Sequence, residues 1–251
     1  MTQTVQIDDV TKRYRHRTAV DTMTLHLDRG VTGIVGPNEA GKTTLLQLVA
    51  TAITPTTGSL RLLARNPDRP AQLGEIRSQL GYAPADIEIV TRFTVLEFLH
   101  HIAALKGLAT GVHRNDEIEM VVSAMNLESS LHRPMSRLSP GTVRRTLIGQ
   151  ALLGKPSLIV LDEPFSDLDP QERRALRSTL ARHSRWSTIV LAAHELSDTV
   201  AAADTIAIMN DGRLLFHGSP DQLSTHASPN IDAASPIETA YLNIIHGDQV
   251  G

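Results

Sequence analysis

The sequence predicts an α/β fold with an antiparallel β region and an inserted all-helical region. Short runs of apolar and β-branched residues at 31–35, 158–161 and 187–193 indicate buried strands, and the run at 158–161 is typical of a parallel sheet. Apolar and polar residues alternate over much of 3–35, which indicates strands of a partly antiparallel sheet leading towards residue 36. Helical patterns occupy about 91–154, so this stretch is expected to form an all-helical subdomain inserted between strand regions.

The bulk composition limits the classes of function. A chain of 251 residues is long enough for one large domain with its own core. The net charge is −3, the isoelectric point is about 6.4 and aromatic residues make up 3%, which disfavours a nucleic-acid partner. The absence of cysteine excludes disulfides and thiol chemistry. No apolar run approaches the ~20 residues of a membrane span, and residues 1–9 do not resemble a signal peptide, so any membrane span is expected from a partner.

The stretch that organises the chain matches G-x-x-x-x-G-K-[ST], the phosphate-binding loop of P-loop NTPases, between a buried strand and a helical pattern. It comprises Gly36, Pro37, Asn38, Glu39, Ala40, Gly41, Lys42, Thr43 and Thr44. Its glycines allow several N–H groups to point at one anion, and the following helix adds partial positive charge. We expect Lys42 to contact the β- and γ-phosphates and Thr43 to bind Mg²⁺, with Glu39 pointing to solvent. A glycine-rich turn that matches by chance is the alternative.

Two carboxylates follow the apolar run at 158–161, at the end of a strand where ligands bind in open α/β sheets. Adjacent buried acids are costly without a cation, so Asp162 and Glu163 indicate a site for a metal and a nucleotide. Asp162 is expected to hold Mg²⁺, and Glu163 to polarise the attacking water. His194 follows the next buried strand and is either a second catalytic group or a structural residue. Tyr14 is either part of the core or a stacking surface for a base.

Further local signals place the remaining elements. The box Thr94–Glu97 begins a helix that runs to about Leu105. Four histidines in the helical region lack a metal-ligand spacing and are interpreted as ordinary helix residues. They are His100, His101, His113 and His132. Other expected elements are a strand at 59–63, helices at 115–126, 141–153 and 171–183, a hairpin at 204–216, a linker at 226–236 and a terminal helix at 236–246.

Taken together, these motifs resemble the ATP-binding subunit of ABC transporters along essentially the whole chain. Residues 36–44 resemble its Walker A motif, and 158–163 its Walker B motif with the catalytic glutamate. The stretch 138–141 resembles its signature and 166–169 its D-loop, while His194 and Tyr14 fall at its switch histidine and adenine-stacking aromatic. The resemblance implies ATP and Mg²⁺ as cofactors, and a fold with an α/β core, an antiparallel β subdomain and an inserted helical subdomain.

The resemblance also implies an organisation and partners. One ABC domain is expected, with its core in about 1–90 and 155–225, helices in about 91–154, and a linker and terminal helix in 226–251. Two nucleotide-binding subunits, identical or different, would clamp ATP, with Ser139, Gly141 and Asp169 meeting the partner's side of the composite site. The dimer would power a separate transmembrane subunit from the cytoplasmic face of the membrane. The lack of an added C-terminal domain favours a bacterial exporter.

Three positions depart from the family pattern. Ala85 replaces a glutamine that senses Mg²⁺ and the lytic water, Pro140 replaces a signature glycine, and Glu39 replaces a Walker A glycine. The departures favour a second interpretation, a nucleotide-binding regulatory subunit with little hydrolysis, whereas intact Lys42 and Glu163 oppose it. A third interpretation is an ABC ATPase without a transport role. The sequence lacks the coiled-coil insert, zinc cysteines or second ATPase unit that usually mark that class.

Overall fold

The computed structural model describes residues 3–85, 92–227 and 235–248. Within these ranges nine strands form two sheets, and nine α-helices flank them. The strands are β1 (Val5–Tyr14), β2 (Arg17–Leu27), β3 (Gly30–Val35), β4 (Thr57–Leu62), β5 (Leu80–Ala83), β6 (Leu158–Asp162), β7 (Thr188–Ala192), β8 (Thr205–Asn210) and β9 (Arg213–Gly218). The helices are α1 (Lys42–Val49), α2 (Pro70–Ser78), α3 (Val95–Leu105), α4 (Val112–Ala124), α5 (Pro140–Leu152), α6 (Pro170–His183), α7 (Leu196–Ala202), α8 (Pro220–Ser224) and α9 (Pro236–Asp248).

The two sheets divide the antiparallel and parallel strands. The smaller sheet has the order β2-β1-β4 and is antiparallel throughout. The larger sheet has the order β5-β6-β7-β3-β8-β9, with all neighbours parallel except the final β8–β9 hairpin. The predicted α/β fold class with an antiparallel sheet is therefore confirmed.

The stretch 3–35 contributes strands to both sheets. The sequence predicts strands of a partly antiparallel sheet leading towards the loop, and β1 and β2 form an antiparallel pair. β3 lies in the centre of the larger sheet, parallel to β7 and β8. Five of its six residues are buried, which suits a central strand covered on both faces. The phosphate-binding loop therefore follows a central parallel strand, where the carboxyl ends of its neighbours converge.

The core lies on both faces of the larger sheet. On one face, buried side chains of the antiparallel sheet and α1 pack against it, among them Ile7, Met23 and Leu46. On the other face lie α6 and the helical region, including Leu99 of α3 and Ile148 of α5. β6 and β7, at the centre of this sandwich, are buried along their whole lengths. This packing fixes the ends of the central strands, from which the site is built.

The helical region forms as its local signals indicate. The predicted capping box at α3 is present: the Thr94 hydroxyl accepts from the Glu97 N–H at 3.3 Å, and the Thr94 N–H donates to the Glu97 carboxylate at 2.8 Å. α4 and α5 begin one to three residues earlier than predicted. The predicted linker at 226–236 lies partly outside the described residues, and α9 follows it. Within the described ranges, no helix is long and apolar enough to cross a membrane.

Candidate nucleotide site

The phosphate-binding loop joins β3 to α1 and passes close to the antiparallel sheet. Gly41 is the N-cap of α1 and has φ 100°, a conformation that side chains disfavour. A Cβ on Gly41 would lie 2.0 Å from the main-chain oxygen of Ala19 in β2. Glycine is therefore required here by both the backbone angle and the close approach. The result is a tight loop that leads directly into the N-terminus of α1, an arrangement suited to binding an anion.

Lys42, the first residue of α1, lies across this loop. Its Nζ donates hydrogen bonds to the main-chain oxygens of Gly36 and Pro37, both at 2.8 Å. Burial lowers the pKa of the Lys42 ammonium, and the nearby carboxylates of Glu163 and Asp162 oppose that shift. The amino group is thus held over the loop, with acidic groups at the end of β6 beside it.

The acidic pair lies where predicted, at the carboxyl end of β6. The Asp162 residue is only 2% exposed, and the side chain of Glu163 is 12% exposed. Glu163 has φ 52°, and its N–H donates to the main-chain oxygen of Ala192 at the end of β7. This bond to the neighbouring strand holds Glu163 in a turn that a non-glycine residue rarely adopts. The turn aims the carboxylate of Glu163 towards the loop while Asp162 stays buried.

His194 reaches Glu163 from the end of β7. Its main-chain N–H donates to Glu163 Oε2 at 3.1 Å, and its Nε2 lies 3.5 Å from Oε1. Burial raises the pKa of the Glu163 carboxyl; the His194 charge and hydrogen bond lower it, and Asp162 raises it further. A carboxylate with a raised pKa is a stronger base than an exposed one, which suits a group that accepts a proton.

These elements enclose one cavity of about 370 Å³. It brings together three features predicted from separate parts of the sequence: the phosphate-binding loop, the acid–histidine pair and Tyr14. The lining residues are Tyr14, Arg17, Ala19, Asn38, Glu39, Gly41, Lys42, Thr43, Thr44, Ala85, Glu163 and His194. Tyr14 ends β1 at the rim and is 43% exposed, and the Lys12 Nζ lies over its ring at 5.3 Å from the centroid. Ala85, which stands where the family has glutamine, also lines the cavity.

The donor set fits a magnesium ion shared with phosphate. Thr43 supplies an exposed hydroxyl at the start of α1, and Asp162 supplies a buried carboxylate at the end of β6. Within the described residues, no three His, Cys, Asp or Glu side chains group to hold a metal by themselves. Mg²⁺ in nucleotide sites characteristically takes one or two protein oxygens, with phosphates and waters completing its shell. Thr43 and Asp162 are therefore suited to a nucleotide-bound ion.

Glu39 is turned away from the loop interior. Its side chain is 78% exposed and forms an ion pair with Arg17, whose Nη1 lies 3.2 Å from Glu39 Oε2. A second Arg17 nitrogen donates to the main-chain oxygen of Glu39. Glu39 therefore points to solvent, as expected, but it is also paired with Arg17, which was not expected. Sequence reasoning missed Arg17, and its only signal was a place in the basic run around Tyr14.

The signature residues lie outside this cavity lining. Ser139 is the N-cap of α5, and its Oγ accepts from the Thr142 N–H at 3.3 Å. Pro140 occupies the first helical turn, where proline is tolerated because such N–H groups have no intrahelical partner. Gly141 is buried against the D-loop: a Cβ there would lie 2.6 Å from the main-chain oxygen of Asp167. Ser139 and Pro140 are exposed, so they face outward from this chain's own loop.

The D-loop leads into α6 through Asp169. Its carboxylate accepts from the N–H groups of Gln171 and Glu172 at 2.8 Å each, and the Glu172 carboxylate accepts from the Asp169 N–H at 3.0 Å. Asp169 and Glu172 therefore form a capping box at the start of α6. Arg145 of α5 also pairs with Glu172 at 3.1 Å. The signature helix and the D-loop helix are tied together by this ion pair.

A buried arginine that sequence reasoning missed connects the signature helix to the sheet. Arg144 of α5 donates to the main-chain oxygens of Pro84 at 3.1 Å and Ala85 at 2.8 Å, beyond β5. It also donates to the main-chain oxygen of Asp162 at 3.4 Å. The residue is 9% exposed. One guanidinium thus joins three parts of the site: α5, the segment containing Ala85 and the acidic strand end.

The fold and the site together define a P-loop nucleotide-binding protein with a helical insertion. A family model described as ABC transporter matches residues 20–166, more than half of the chain. The chain belongs to the ABC transporter family and is one of its ATP-binding cassettes.

Individual relatives agree with this assignment. The chain is 30% identical to the ABC transporter ATP-binding protein YcbN of Bacillus subtilis, over 95% of its own length and 77% of that protein. It is 31% identical to the Nod factor export ATP-binding protein I of Ralstonia nicotianae, over 90% of its length and 70% of that protein. It is 32% identical to ABC transporter A family member 5 of Dictyostelium discoideum over 86% of its length, but spans only 13% of that protein.

Solved structures support the fold. An ATP-binding subunit of an ABC transporter superimposes with a TM-score of 0.83 at 23% identity, covering 97% of this chain and 99% of that one. A bacterial ABC transporter cassette solved as a dimer has a TM-score of 0.77 at 22% identity, covering 86% of this chain and 98% of the other.

Replacing Gly41 with alanine is expected to weaken ATP binding. The left-handed backbone costs an alanine ~1–2 kcal/mol, and the new Cβ must displace either the loop or β2. Gly74 is a matched control, because it lies inside α2 and a Cβ added to it would meet nothing within 4 Å. Gly74→Ala should leave binding unchanged and stabilise the fold by ~0.5–1 kcal/mol. Fluorescent-nucleotide titration measures the ATP affinity of each variant, and thermal unfolding measures its stability. If Gly41→Ala binds ATP as tightly as the wild type, the loop does not require glycine at this position.

Proposed function

We propose that this chain is an ATPase subunit that dimerises on ATP and powers a separate transmembrane subunit, in an exporter. The observation that carries the proposal is the single cavity lined by the phosphate-binding loop, Glu163, His194 and Tyr14. Each of these features has a separate part in binding or hydrolysing a nucleoside triphosphate. Their convergence from four distant segments of the chain supports a site rather than a chance motif.

ATP binding is assigned to the rim and the loop. Tyr14 presents an exposed ring on which the adenine would stack. The N–H groups of residues 36–44 and the α1 N-terminus receive the phosphates, and Lys42 moves from its carbonyl partners to the β- and γ-phosphates. Thr43 and Asp162 would hold Mg²⁺, which supplies positive charge next to the phosphates when it is bound.

Hydrolysis is assigned to Glu163 and His194. Glu163 Oε2 already accepts from the His194 N–H, so Oε1 is the oxygen assigned to orient the attacking water and take its proton. The raised pKa of the Glu163 carboxyl favours that proton transfer. The His194 imidazole, 3.5 Å from Oε1, keeps the carboxylate in place and is within reach of the γ-phosphate side of the cavity. The barrier falls chiefly through positioning and charge stabilisation.

A second nucleotide-binding subunit completes the proposed site. Ser139 and Gly141 belong to the α5 N-terminus outside this chain's own cavity lining, so they are assigned to the ATP of the partner, with Asp169 and the D-loop beside them. The partner is a second copy or a related chain. The dimeric bacterial cassette of the same fold supports this arrangement.

The transport role rests on relatives. The Nod factor export protein is named for export, and it shares 31% identity with this chain. We therefore place the subunit at the cytoplasmic face of the membrane as a peripheral protein, with a transmembrane ABC subunit as its partner and no nucleic acid. We divide it into a core of about 1–90 and 155–225, a helical subdomain of about 91–154, and a terminal segment of 226–251.

A second candidate function is a nucleotide-binding regulatory subunit with little hydrolysis. Ala85 lines the cavity with a methyl group, which neither binds a metal nor holds a water. Pro140 lacks an N–H at the start of the signature helix, where such groups bind anions. These two positions favour ATP binding with slow turnover, and the rate of phosphate release separates the two functions.

The Lys42→Ala variant tests ATP binding. It removes the fixed cation beside the β- and γ-phosphates and should weaken Mg-ATP binding at least tenfold, since charge-assisted bonds to phosphate are among the strongest. Arg61→Ala removes an exposed cation of β4 outside the cavity lining and should bind ATP as the wild type does. Fluorescent-nucleotide titration measures both. Equal affinity in all three proteins would refute the phosphate-loop assignment.

A further inference from the structure

An acidic side chain lies within the phosphate-binding loop. Glu39 has φ 68°, a left-handed conformation, and it stands where the family pattern has glycine. The residue lines the same cavity as Lys42 and Thr43, and its side chain is 78% exposed. A negative charge beside this cavity disfavours a polyphosphate, because like charges repel. The loop therefore contains an unfavourable charge as well as an unfavourable backbone angle.

Arg17 contacts Glu39 at two points. Its Nη1 lies 3.2 Å from the carboxylate Oε2, and its Nη2 donates to the main-chain oxygen of the same residue. The side chain of Arg17 is 49% exposed. A guanidinium that binds one residue through both the carboxylate and the carbonyl is held more firmly than in an ordinary surface pair. The two contacts hold the Glu39 carboxylate in one direction and place a positive charge beside it.

The β1–β2 turn places Arg17 at this position. Arg17 begins β2 and is the register partner of Tyr14, the last residue of β1. Two residues further along β2, the main chain at Ala19 is in contact range of Gly41 in the loop. β2 therefore brings Arg17 to one side of the loop, and the paired strand β1 brings Tyr14 to the rim. Both side chains line the cavity with Glu39.

We propose that Arg17 is an affinity-determining residue of the nucleotide site that acts by neutralising Glu39. This inference rests on the proposed function, since it concerns the same ATP site. With Arg17 in place, the pair presents no net charge to the triphosphate. Without it, the Glu39 carboxylate is free to turn towards the phosphates and repel them. Arg17 is thus a positioning residue, and its effect depends on the charge at position 39.

The test is a double-mutant cycle for ATP and ADP binding. The variants are Arg17→Met, Glu39→Gln and the two combined, measured by fluorescent-nucleotide competition at low and high salt. We expect Arg17→Met to weaken ATP binding by about three- to tenfold at low salt, and ADP binding by less, because ADP carries less charge. The combined variant should bind ATP within about twofold of Glu39→Gln alone, because the charge that Arg17 neutralises is then absent. High salt should reduce the loss of ATP affinity in Arg17→Met, because it screens the charge of Glu39.

A second ion pair that involves β2 provides a matched control. Arg213 of β9 pairs with Asp21 of β2 at 3.0 Å, and neither residue lines the cavity. Arg213→Met should leave the affinity for ATP unchanged.

Unchanged ATP affinity in Arg17→Met would overturn the inference. An equal loss of ATP affinity with and without the Glu39 charge would also overturn it. Equal losses for ATP and ADP would do the same, since they would indicate a structural effect. A wild-type chain that binds no ATP would instead overturn the proposed function.

Discussion

Glu163→Gln is expected to slow ATP turnover by ~10²–10⁴-fold while leaving ATP affinity unchanged. The amide keeps the size of the carboxylate and its acceptor for the His194 N–H, but it cannot take a proton from water. Because ATP would persist in the site, the variant should also accumulate as an ATP-bound dimer. Phosphate release measures the turnover, and size-exclusion chromatography with light scattering measures the dimer.

Glu119→Gln provides the matched control for this prediction. Glu119 is an exposed residue of α4 outside the nucleotide cavity, so its amide variant should turn over ATP at the wild-type rate. If Glu163→Gln keeps the wild-type rate, the proton acceptor must lie elsewhere in the cavity. His194 would then be the next candidate, because it lines the cavity beside Glu163.

Restoring the family residues Ala85→Gln and Pro140→Gly together is expected to raise a slow basal ATPase rate by up to ~10²–10³-fold. A donor directed at transition-state charge is commonly worth a factor of this size, and Pro140 lacks one at the N-terminus of α5. Ala85 lines the cavity, so a glutamine there can reach the ion and the water. In a homodimer both defects occur in each of the two sites, whereas a heterodimer can supply an intact signature.

Phosphate release at saturating Mg-ATP should be measured for the wild type, both single variants and the double variant. A wild-type rate of ~1–100 s⁻¹, as in phosphoryl-transfer kinases, would contradict an attenuated site. So would a double variant that gains nothing. If only Ala85→Gln raises the rate, then the N–H that glycine would restore at position 140 is not a donor in the reaction, and proline only stiffens the start of α5.

Local signals were sufficient for much of the fold. The capping box at Thr94 predicted the start of α3, and the apolar run before Asp162 predicted a strand buried on both faces. These elements are determined by residues close together in the chain, so the sequence carries their full signal. α2 and α7 were not predicted. α2 buries only Ile76, and α7 has seven residues with no side-chain cap, so neither shows a clear period or start signal.

Local sequence signals could not predict which strands pair when they lie far apart in the chain. β3 lies between β7 and β8, whose partner residues are more than 150 positions away in sequence. In the site, motif matches located Lys42, Glu163 and His194, whose assigned roles stay predictions. Arg17 and Arg144 bind through main-chain oxygens that no motif specifies, so only the packed structure could place them.

A crystal structure of Glu163→Gln with Mg-ATP would show the nucleotide site directly. We expect the triphosphate against the loop and Lys42, the adenine against Tyr14, and Ser139 of a second copy facing the γ-phosphate. The ion should lie between Thr43 and Asp162. ATP bound elsewhere on the chain, or this cavity empty at saturating nucleotide, would refute the proposed site.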